Sequence, residues 1–300
     1  MRTPLFLAPL IACFAPVMAL AQELEPRAYS NAPIGASFAL ASYSHYSGPV
    51  LLDPALAAVD IKARINVYAL GYARFLGLLG RTAQFSIAVP YAEADLHGEV
   101  VDSSTDVHRA GFGDMRLRGA INLFGHPALT PAEFAKRSDV FSGGASLSVV
   151  APTGQYEPSR FINVGTNRWA FKPDLGVSYP IGKWFTEAAA GVWLFTNNDD
   201  YLGGKRRSQA PLSVYQLHAG FSFRPGLWLA ADYGYYRGGH TAVDGVANDD
   251  AQSNSRVGLA LSLPLGRGWS SKLAYSKGTT VRVGGDYGIT SIAVQYRWFD

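Results

Sequence analysis

Histidine and aspartate residues in the C-terminal half of the chain are the first candidates for chemistry. A hydrolase needs a nucleophile, a base within hydrogen-bond reach of it, and a group that orients the base. His240 is followed by Asp244, Asp249 and Asp250, a set that would suit a protease of the Asp/His type. The same residues are typical of a solvated loop, and His218 fits a lumen histidine bonded to other polar groups. The sequence therefore predicts no catalytic residue, and the protein is expected not to be an enzyme.

Metal-ligating residue types are also present, but their spacing is poor. Imidazole is a common transition-metal ligand, and four of the six histidines fall in or beside polar connections: His45, His97, His108 and His240. The paired acids at 199–200 and 249–250 have the oxygen ligands that Ca²⁺ prefers. The histidines are not closely spaced, and paired acids are typical of loops kept soluble by charge. We expect no metal ion and no cofactor.

Cationic and aromatic side chains at alternate positions are more informative. Rings of basic side chains favour anions, and aromatic walls with cations between them suit a small aromatic acid or a phenol. The alternative is that the charges pair across neighbouring strands and the rings fill a narrow barrel. The predicted lumen residues are Lys62, Arg64, Tyr68, Arg116, Arg118, Lys172, Asp174, Trp193, His218, Trp228, Asp232, Arg256, Lys272 and Arg297.

Alternating strands must position these side chains. Twelve segments alternate apolar and more polar residues, as a strand with two different faces does. Hydrophobic residues make up 48% of the chain and charged residues only 16%, against about 25% in a typical soluble domain. After the N-terminal 21 residues, no apolar run is long enough for a spanning helix. A soluble sandwich would expose a polar face. We predict an all-β protein, a transmembrane antiparallel up-and-down β-barrel of about 12 strands.

Connection lengths predict which end of each strand faces the periplasm. Short and long polar connections alternate, and outer-membrane barrels have short periplasmic turns and longer outer loops. The exception is the long segment 125–139, which falls on the periplasmic side. There Thr130 and Glu133 form a capping-box pattern around Pro131. We predict one short periplasmic helix at this point.

The N-terminus predicts export. Residues 1–21 combine Arg2, an apolar stretch and an Ala-Leu-Ala cleavage site, which is typical of a signal peptide. Cys13, the only cysteine, lies inside it, and a lipoprotein signal is the alternative. Residues 22–300 are then a single barrel domain in the outer membrane, without disulfides. The net charge of +3 for the whole chain gives no reason to expect nucleic acid. Residues 22–33 are too few for a long plug.

The stretch 143–179 consists of two alternating segments and the connection 152–168 between them. This connection is too long for a hairpin turn, and its composition is too polar to face lipid. We predict that it folds inward as a constriction loop that narrows the pore. The predicted constriction residues are Tyr156, Arg160, Phe161, Asn163 and Asn167.

The same stretch carries a family resemblance. PTGQYEPSRFINVGTNRW, followed by PDLGVSY, resembles the central signature of the MetA-pathway-of-phenol-degradation family, and GFGD at 111–114 and NSRVG at 254–258 occur in matching order. The resemblance implies a transporter-like outer-membrane barrel connected with aromatic compounds. It also implies assembly by the barrel-assembly machinery through the C-terminal strand, although Asp300 displaces the usual terminal aromatic residue by one position.

We therefore expect a channel or transporter for passive uptake of small, aromatic compounds. Its partners would be outer-membrane lipid, lipopolysaccharide and a small-molecule solute. The alternative is a structural or adhesive barrel that transports nothing, and a barrel enzyme is the weakest hypothesis.

Overall fold

A computed structural model describes residues 24–30, 32–51, 58–100 and 103–299. The predicted signal peptide, residues 1–21, lies outside these ranges, as does Asp300. Within the described ranges, no helix has the length and apolar composition that crossing a membrane would require.

The described chain is built almost entirely of strands. Those that form the barrel wall are β1 (Ala36–Leu51), β2 (Ala58–Leu78), β3 (Arg81–Val100), β4 (Ser103–Phe112), β5 (Met115–Phe124), β6 (Ser142–Ala151), β7 (Ala170–Ile181), β8 (Trp184–Phe195), β11 (Leu212–Arg224), β12 (Leu227–Gly238), β15 (Gln252–Gly266), β16 (Trp269–Thr280) and β18 (Gly288–Phe299). The shorter strands, which follow the outer ends of the wall, are β9 (Asn198–Tyr201), β10 (Lys205–Gln209), β13 (Thr241–Val243), β14 (Val246–Ala247) and β17 (Gly284–Gly285).

The wall is a closed antiparallel barrel. Each wall strand pairs with its neighbour along the chain, and β1 pairs with both β2 and β18, so that Tyr43 lies between Tyr68 and Ile292. Strands β4 and β5 together form one barrel strand, because both pair with β3, the first at Tyr91 and the second at Ala88. The barrel therefore has twelve strands, as the alternation predicts.

Tight turns connect consecutive strands at the end of the barrel where β1 begins. Between β2 and β3 only Leu79 and Gly80 intervene, with φ of 52° and 74°. Between β15 and β16 only Arg267 and Gly268 intervene, with φ of 53° and 86°. Two consecutive residues with positive φ are typical of the type I′ turn, whose twist matches that of a hairpin.

The predicted helix at this end is confirmed as α1 (Pro131–Lys136). Thr130 caps it: the backbone N of Glu133 donates to the Thr130 hydroxyl, and the Glu133 carboxylate accepts from the Thr130 backbone N. At the opposite end of the barrel, β9, β10, β13 and β14 form a separate four-stranded sheet. We expected those segments to be loops without strands.

Candidate functional site: the barrel interior

The strand register decides which side chains face the interior. Directly paired residues point to the same face of a sheet, and successive residues point to opposite faces. On every wall strand one parity carries the exposed apolar residues, such as Leu175, which is 60% exposed on β7. The residues of the other parity face inward. On this basis, the predicted lumen residues on the inner face are Arg116, Arg118, Lys172, Asp174, Trp193, His218, Trp228, Asp232, Arg256, Lys272 and Arg297.

The prediction is wrong for Lys62, Arg64 and Tyr68. All three share the face of Leu70, which is 70% exposed, whereas Ile65 on the opposite face is 2% exposed. Lys62 and Arg64 lie beyond the aromatic residues that ring the outer end of the wall, so their polar face meets water. The rule that the polar face lines the lumen holds only where the opposite face meets lipid.

Residues 24–30 lie inside the barrel rather than at its edge. The backbone N of Arg27 donates to Glu187 Oε2 at 2.6 Å, and its guanidinium donates to Ser222 Oγ at 2.7 Å. The Arg27 guanidinium also lies 4.0 Å from the ring centroid of Phe185, a cation–π contact. We call residues 24–30 the N-terminal segment.

A glycine on the wall makes room for this segment. The ring of Tyr29 packs so closely on Gly176 that a Cβ there would lie 2.2 Å from a ring carbon. The Tyr29 hydroxyl lies 3.5 Å from Ser146 Oγ on the neighbouring strand. The expectation that residues 22–33 are too few for a long plug did not include a short segment held inside the barrel by contacts such as that of Tyr29 with Gly176.

Glu25 places a carboxylate among the cations of the inner face. The Lys172 ammonium, together with Arg118, Lys272 and Arg116, holds the pKa of the Glu25 carboxyl at about 2, against burial, which raises it. Lys272 belongs to β16, whereas the other three cations belong to β5 and β7. The carboxylate is therefore attracted from two sides of the barrel.

The connection 152–168 enters the outer mouth of the barrel. Ile162 and Val164 are 5% and 8% exposed and belong to an apolar cluster with inner-face residues of four wall strands. The wall residues of this cluster are Tyr46, Ile61, Ala63, Ile65, Val67, Ala92, Ala94, Leu96 and Ile289. Burial of apolar surface, at roughly 25 cal/mol per Å², thus favours the inward position of this segment.

The five predicted constriction residues have different surroundings. Phe161 packs against the apolar cluster, and Asn163 is buried and bonds within the loop, accepting from the backbone N of Glu157 at 2.8 Å. Arg160 is exposed. The other two, Tyr156 and Asn167, hydrogen-bond towards the outer sheet, at Asp200 and Asn198.

The sequence places Asp114 on the inner face but does not indicate that it holds this loop in place. Its carboxylate is 3% exposed and accepts from the backbone N of Gly154 at 2.9 Å, the backbone N of Thr166 at 2.9 Å and Thr166 Oγ1 at 2.5 Å. Asp114 lies at the break between β4 and β5, which frees its backbone from the regular ladder. The sequence feature that could have indicated this role is an acidic residue that follows glycines within an alternating segment.

His218 and Asp232 form a buried pair across β11 and β12. His218 Nδ1 lies 2.7 Å from Asp232 Oδ1, and both side chains are 3% exposed. Glu187, on the other side of His218, accepts instead from Ser178 and from the N-terminal segment. The pair thus joins two wall strands, and no hydroxyl nucleophile contacts it among the described hydrogen bonds.

The outer acids that were candidates for chemistry hold loops together. Asp250 accepts from Thr241 N and Oγ1, both at 2.6 Å, and Asp244 accepts from Arg206 N at 2.8 Å. Asp249 pairs with Arg282 at 2.5 Å. Among the described hydrogen bonds and ion pairs, none joins these acids to the His240 side chain. Among the described residues, no cluster of three potential ligands is arranged for a metal ion.

Comparison with known proteins addresses the family. The sequence profile described as "Putative MetA-pathway of phenol degradation" matches residues 44–296. The chain belongs to this family. The match spans the wall from β1 to β18 and includes both the break at Asp114 and the inward loop. A search of curated protein sequences finds no match.

Solved structures share the fold. The crystal structure of the COG4313 outer membrane channel from Pseudomonas putida F1 is 22% identical and covers 92% of this chain and 100% of its own, with a TM-score of 0.80. The β domain of the Bordetella autotransporter BrkA is 12% identical, covers 87% of this chain and 99% of its own, and has a TM-score of 0.52. At these identities the likeness concerns the barrel architecture.

Proposed function

We propose that this member of the phenol-degradation family is an outer-membrane channel for the passive uptake of small aromatic compounds. The observation that carries the proposal is that two chain segments which are not part of the wall lie inside it. The N-terminal segment attaches to polar residues of the inner face, and the loop 152–168 attaches to Asp114 and to an apolar cluster of the inner face. Either segment can leave without breaking a wall hydrogen bond.

The outer surface supports a membrane location. Exposed apolar residues alternate with inward polar ones all round the wall, and aromatic residues gather near the strand ends, as interfacial girdles do. Tyr43 and Tyr68 are in ring contact at 5.3 Å, and their neighbours Tyr91 and Phe112 at 5.4 Å. Lipopolysaccharide and outer-membrane lipid would surround this belt. The C-terminal strand β18, which ends at Phe299, would engage the barrel-assembly machinery.

The family and the solved relative support the solute class and the channel role. The family name concerns phenol degradation, and the similar Pseudomonas protein is described as an outer membrane channel. Inside the barrel, Trp193 and Trp228 lie on the same inner face as Lys172 and Arg118. Rings next to cations are suited to aromatic solutes that carry an oxygen function.

Reconstitution tests the channel directly. Purified protein in planar bilayers is expected to give discrete conductance steps, and proteoliposomes are expected to swell faster in isotonic sodium benzoate than in isotonic sodium gluconate. The blocked interior also favours a second candidate, a structural barrel with a permanently filled lumen. Absence of conductance together with equal swelling in both solutes would select that candidate and refute the channel.

A further inference from the structure

Two cations of the inner face, Arg118 and Lys172, line one cavity together with the carboxylate of Glu25, which does not belong to the wall. Arg118 pairs in register with Ser148, and Ser148 pairs with Lys172, so the two cations lie level on strands two apart. Neighbouring strands are about 4.8 Å apart, which leaves a gap of roughly 10 Å between the two backbones. Glu25 and both cations line the same cavity.

In the described part of the chain, Lys172 and Arg118 have few acids of the wall beside them. Asp174 Oδ2 lies 3.8 Å from Lys172 Nζ, and Ser146 Oγ donates to the other oxygen of Asp174 at 2.9 Å. The buried Nε of Arg118 has no hydrogen-bond partner among the described residues. Uncompensated buried charge is costly. Without Glu25, Arg118 and Lys172 would therefore favour another anion.

Aromatic rings lie beside the cavity that Glu25, Arg118 and Lys172 line. Lys172 Nζ lies 5.6 Å from the ring of Trp193, and the Arg118 guanidinium lies 5.5 Å from the ring of Tyr29. The Nε1 of Trp193 is buried and has no hydrogen-bond partner in the described part of the chain. When the N-terminal segment leaves, Tyr29 leaves with it, whereas Trp193 stays on the wall as an aromatic face and a free donor beside the cations.

We propose that Arg118 and Lys172, with Lys272 across the barrel, form a binding site for the carboxylate of a small aromatic acid, and that Glu25 occupies this site until a solute replaces it. The inference rests on the proposed channel function and names its solute class. Glu25 and the solute compete for the same cations, so binding of the solute releases the N-terminal segment. Occupation by a tethered carboxylate lowers the apparent affinity for solute by the fraction of time that the site is filled.

Calorimetric titration of the detergent-solubilised protein at neutral pH tests the competition. The probes are benzoate and benzamide, which have similar shape but differ in charge. We expect Glu25→Gln to tighten benzoate binding at least tenfold and to change benzamide binding less than twofold. Glu133→Gln, in the periplasmic helix, is the matched control and is expected to change neither. In the Glu25→Gln background, Lys172→Gln is expected to weaken benzoate binding at least tenfold.

Two results would overturn the proposal. Benzoate binding that is equal in the wild type and in Glu25→Gln, or absent from both, would mean that no anion site is uncovered. An equal gain for benzoate and benzamide would mean that the substitution only loosens the segment. Failure of the proposed channel function can be distinguished from failure of the anion site. Benzoate binding in detergent without any conductance in bilayers would indicate an anion site inside a barrel that does not conduct.

Discussion

Replacing Asp114 by Asn is expected to release the inward loop while leaving the barrel wall intact. The carboxylate accepts three hydrogen bonds, from Gly154 N and from the backbone N and hydroxyl of Thr166. An Asn side chain keeps one carbonyl oxygen, which can still accept from Gly154. Its amide group would face the backbone N of Thr166, and two donors cannot bond.

The size of the effect follows from these contacts. A hydrogen bond to a charged group contributes about 1.5–3 kcal/mol. Asp114→Asn removes one hydrogen bond and also the negative charge that strengthens the other two. Together these losses are expected to weaken docking of the loop by about 2–4 kcal/mol. At 1.4 kcal/mol per factor of ten, the undocked fraction of the loop rises about 30- to 700-fold. The pairing of the wall strands is not part of this equilibrium, because the loop attaches to the wall through side chains, apolar packing and the backbone hydrogen bond from Gln155 N to Phe112 O at 2.8 Å.

Limited proteolysis measures the undocked fraction. Arg168 is 6% exposed, so trypsin cleaves after it only when the loop has left the barrel mouth. When opening and closing are fast, the rate of cleavage follows the population of the open form. Arg160 is exposed and is replaced by Gln in all variants, so that it does not contribute cleavage of its own.

The expected result is cleavage after Arg168 at least 30 times faster in Asp114→Asn, with the heat-dependent shift in gel mobility of the folded barrel retained. Asp139→Asn, on the periplasmic side, is the matched control and is expected to leave the rate unchanged. Cleavage at the wild-type rate in Asp114→Asn would contradict this expectation, since it would show that the remaining contacts hold the loop without the Asp114 carboxylate.

Three further predictions concern the interior. Gly176→Ala is expected to displace the N-terminal segment and raise bilayer conductance, because its Cβ has no room; Gly119→Ala, where a Cβ meets nothing within 4 Å, should not. Asp232→Asn is expected to destabilise the barrel by about 1–3 kcal/mol in urea unfolding, because His218 loses a buried charged partner; an unchanged midpoint would contradict this. Since the Glu25 pKa is lowered to about 2 from 4.5, docking that depends on its charge is complete above pH 4.5 and is lost as the pH falls towards 2. Conductance should therefore be constant between pH 8 and 5 and rise by pH 3, and a rise already at pH 6 would exclude Glu25 as the cause.

The wall could be predicted from the sequence because it obeys one local rule. Strands such as β7, with Leu175 outward and Asp174 inward, alternate regularly, and every turn at the N-terminal end contains glycine. The interior could not be predicted in the same way. The position of residues 24–30 depends on the space above Gly176 and on Glu187, a residue more than 150 positions away. No periodicity in the chain encodes that contact.

The incorrect prediction for Lys62 and Arg64 shows where along a strand the polar face stops facing the lumen. Tyr43, Tyr68, Tyr91 and Phe112 lie level on four neighbouring strands and face outward. Towards the N-terminal end from this row, outward residues of β2 such as Leu70, Leu76 and Leu78 are apolar, because they meet lipid. Beyond the row, the outward residues meet water.

The same strand therefore has to place its apolar face inward beyond that row. An apolar inner face at the mouth of a barrel would meet water unless something covered it, and the segment from Phe161 to Val164 does so. The long polar-looking loop and the reversed polarity of β2 and β3 are thus two parts of one feature. A long outer loop with an apolar core of three or four residues, together with a neighbouring strand that extends past the aromatic row, predicts an inward loop more reliably than loop length alone.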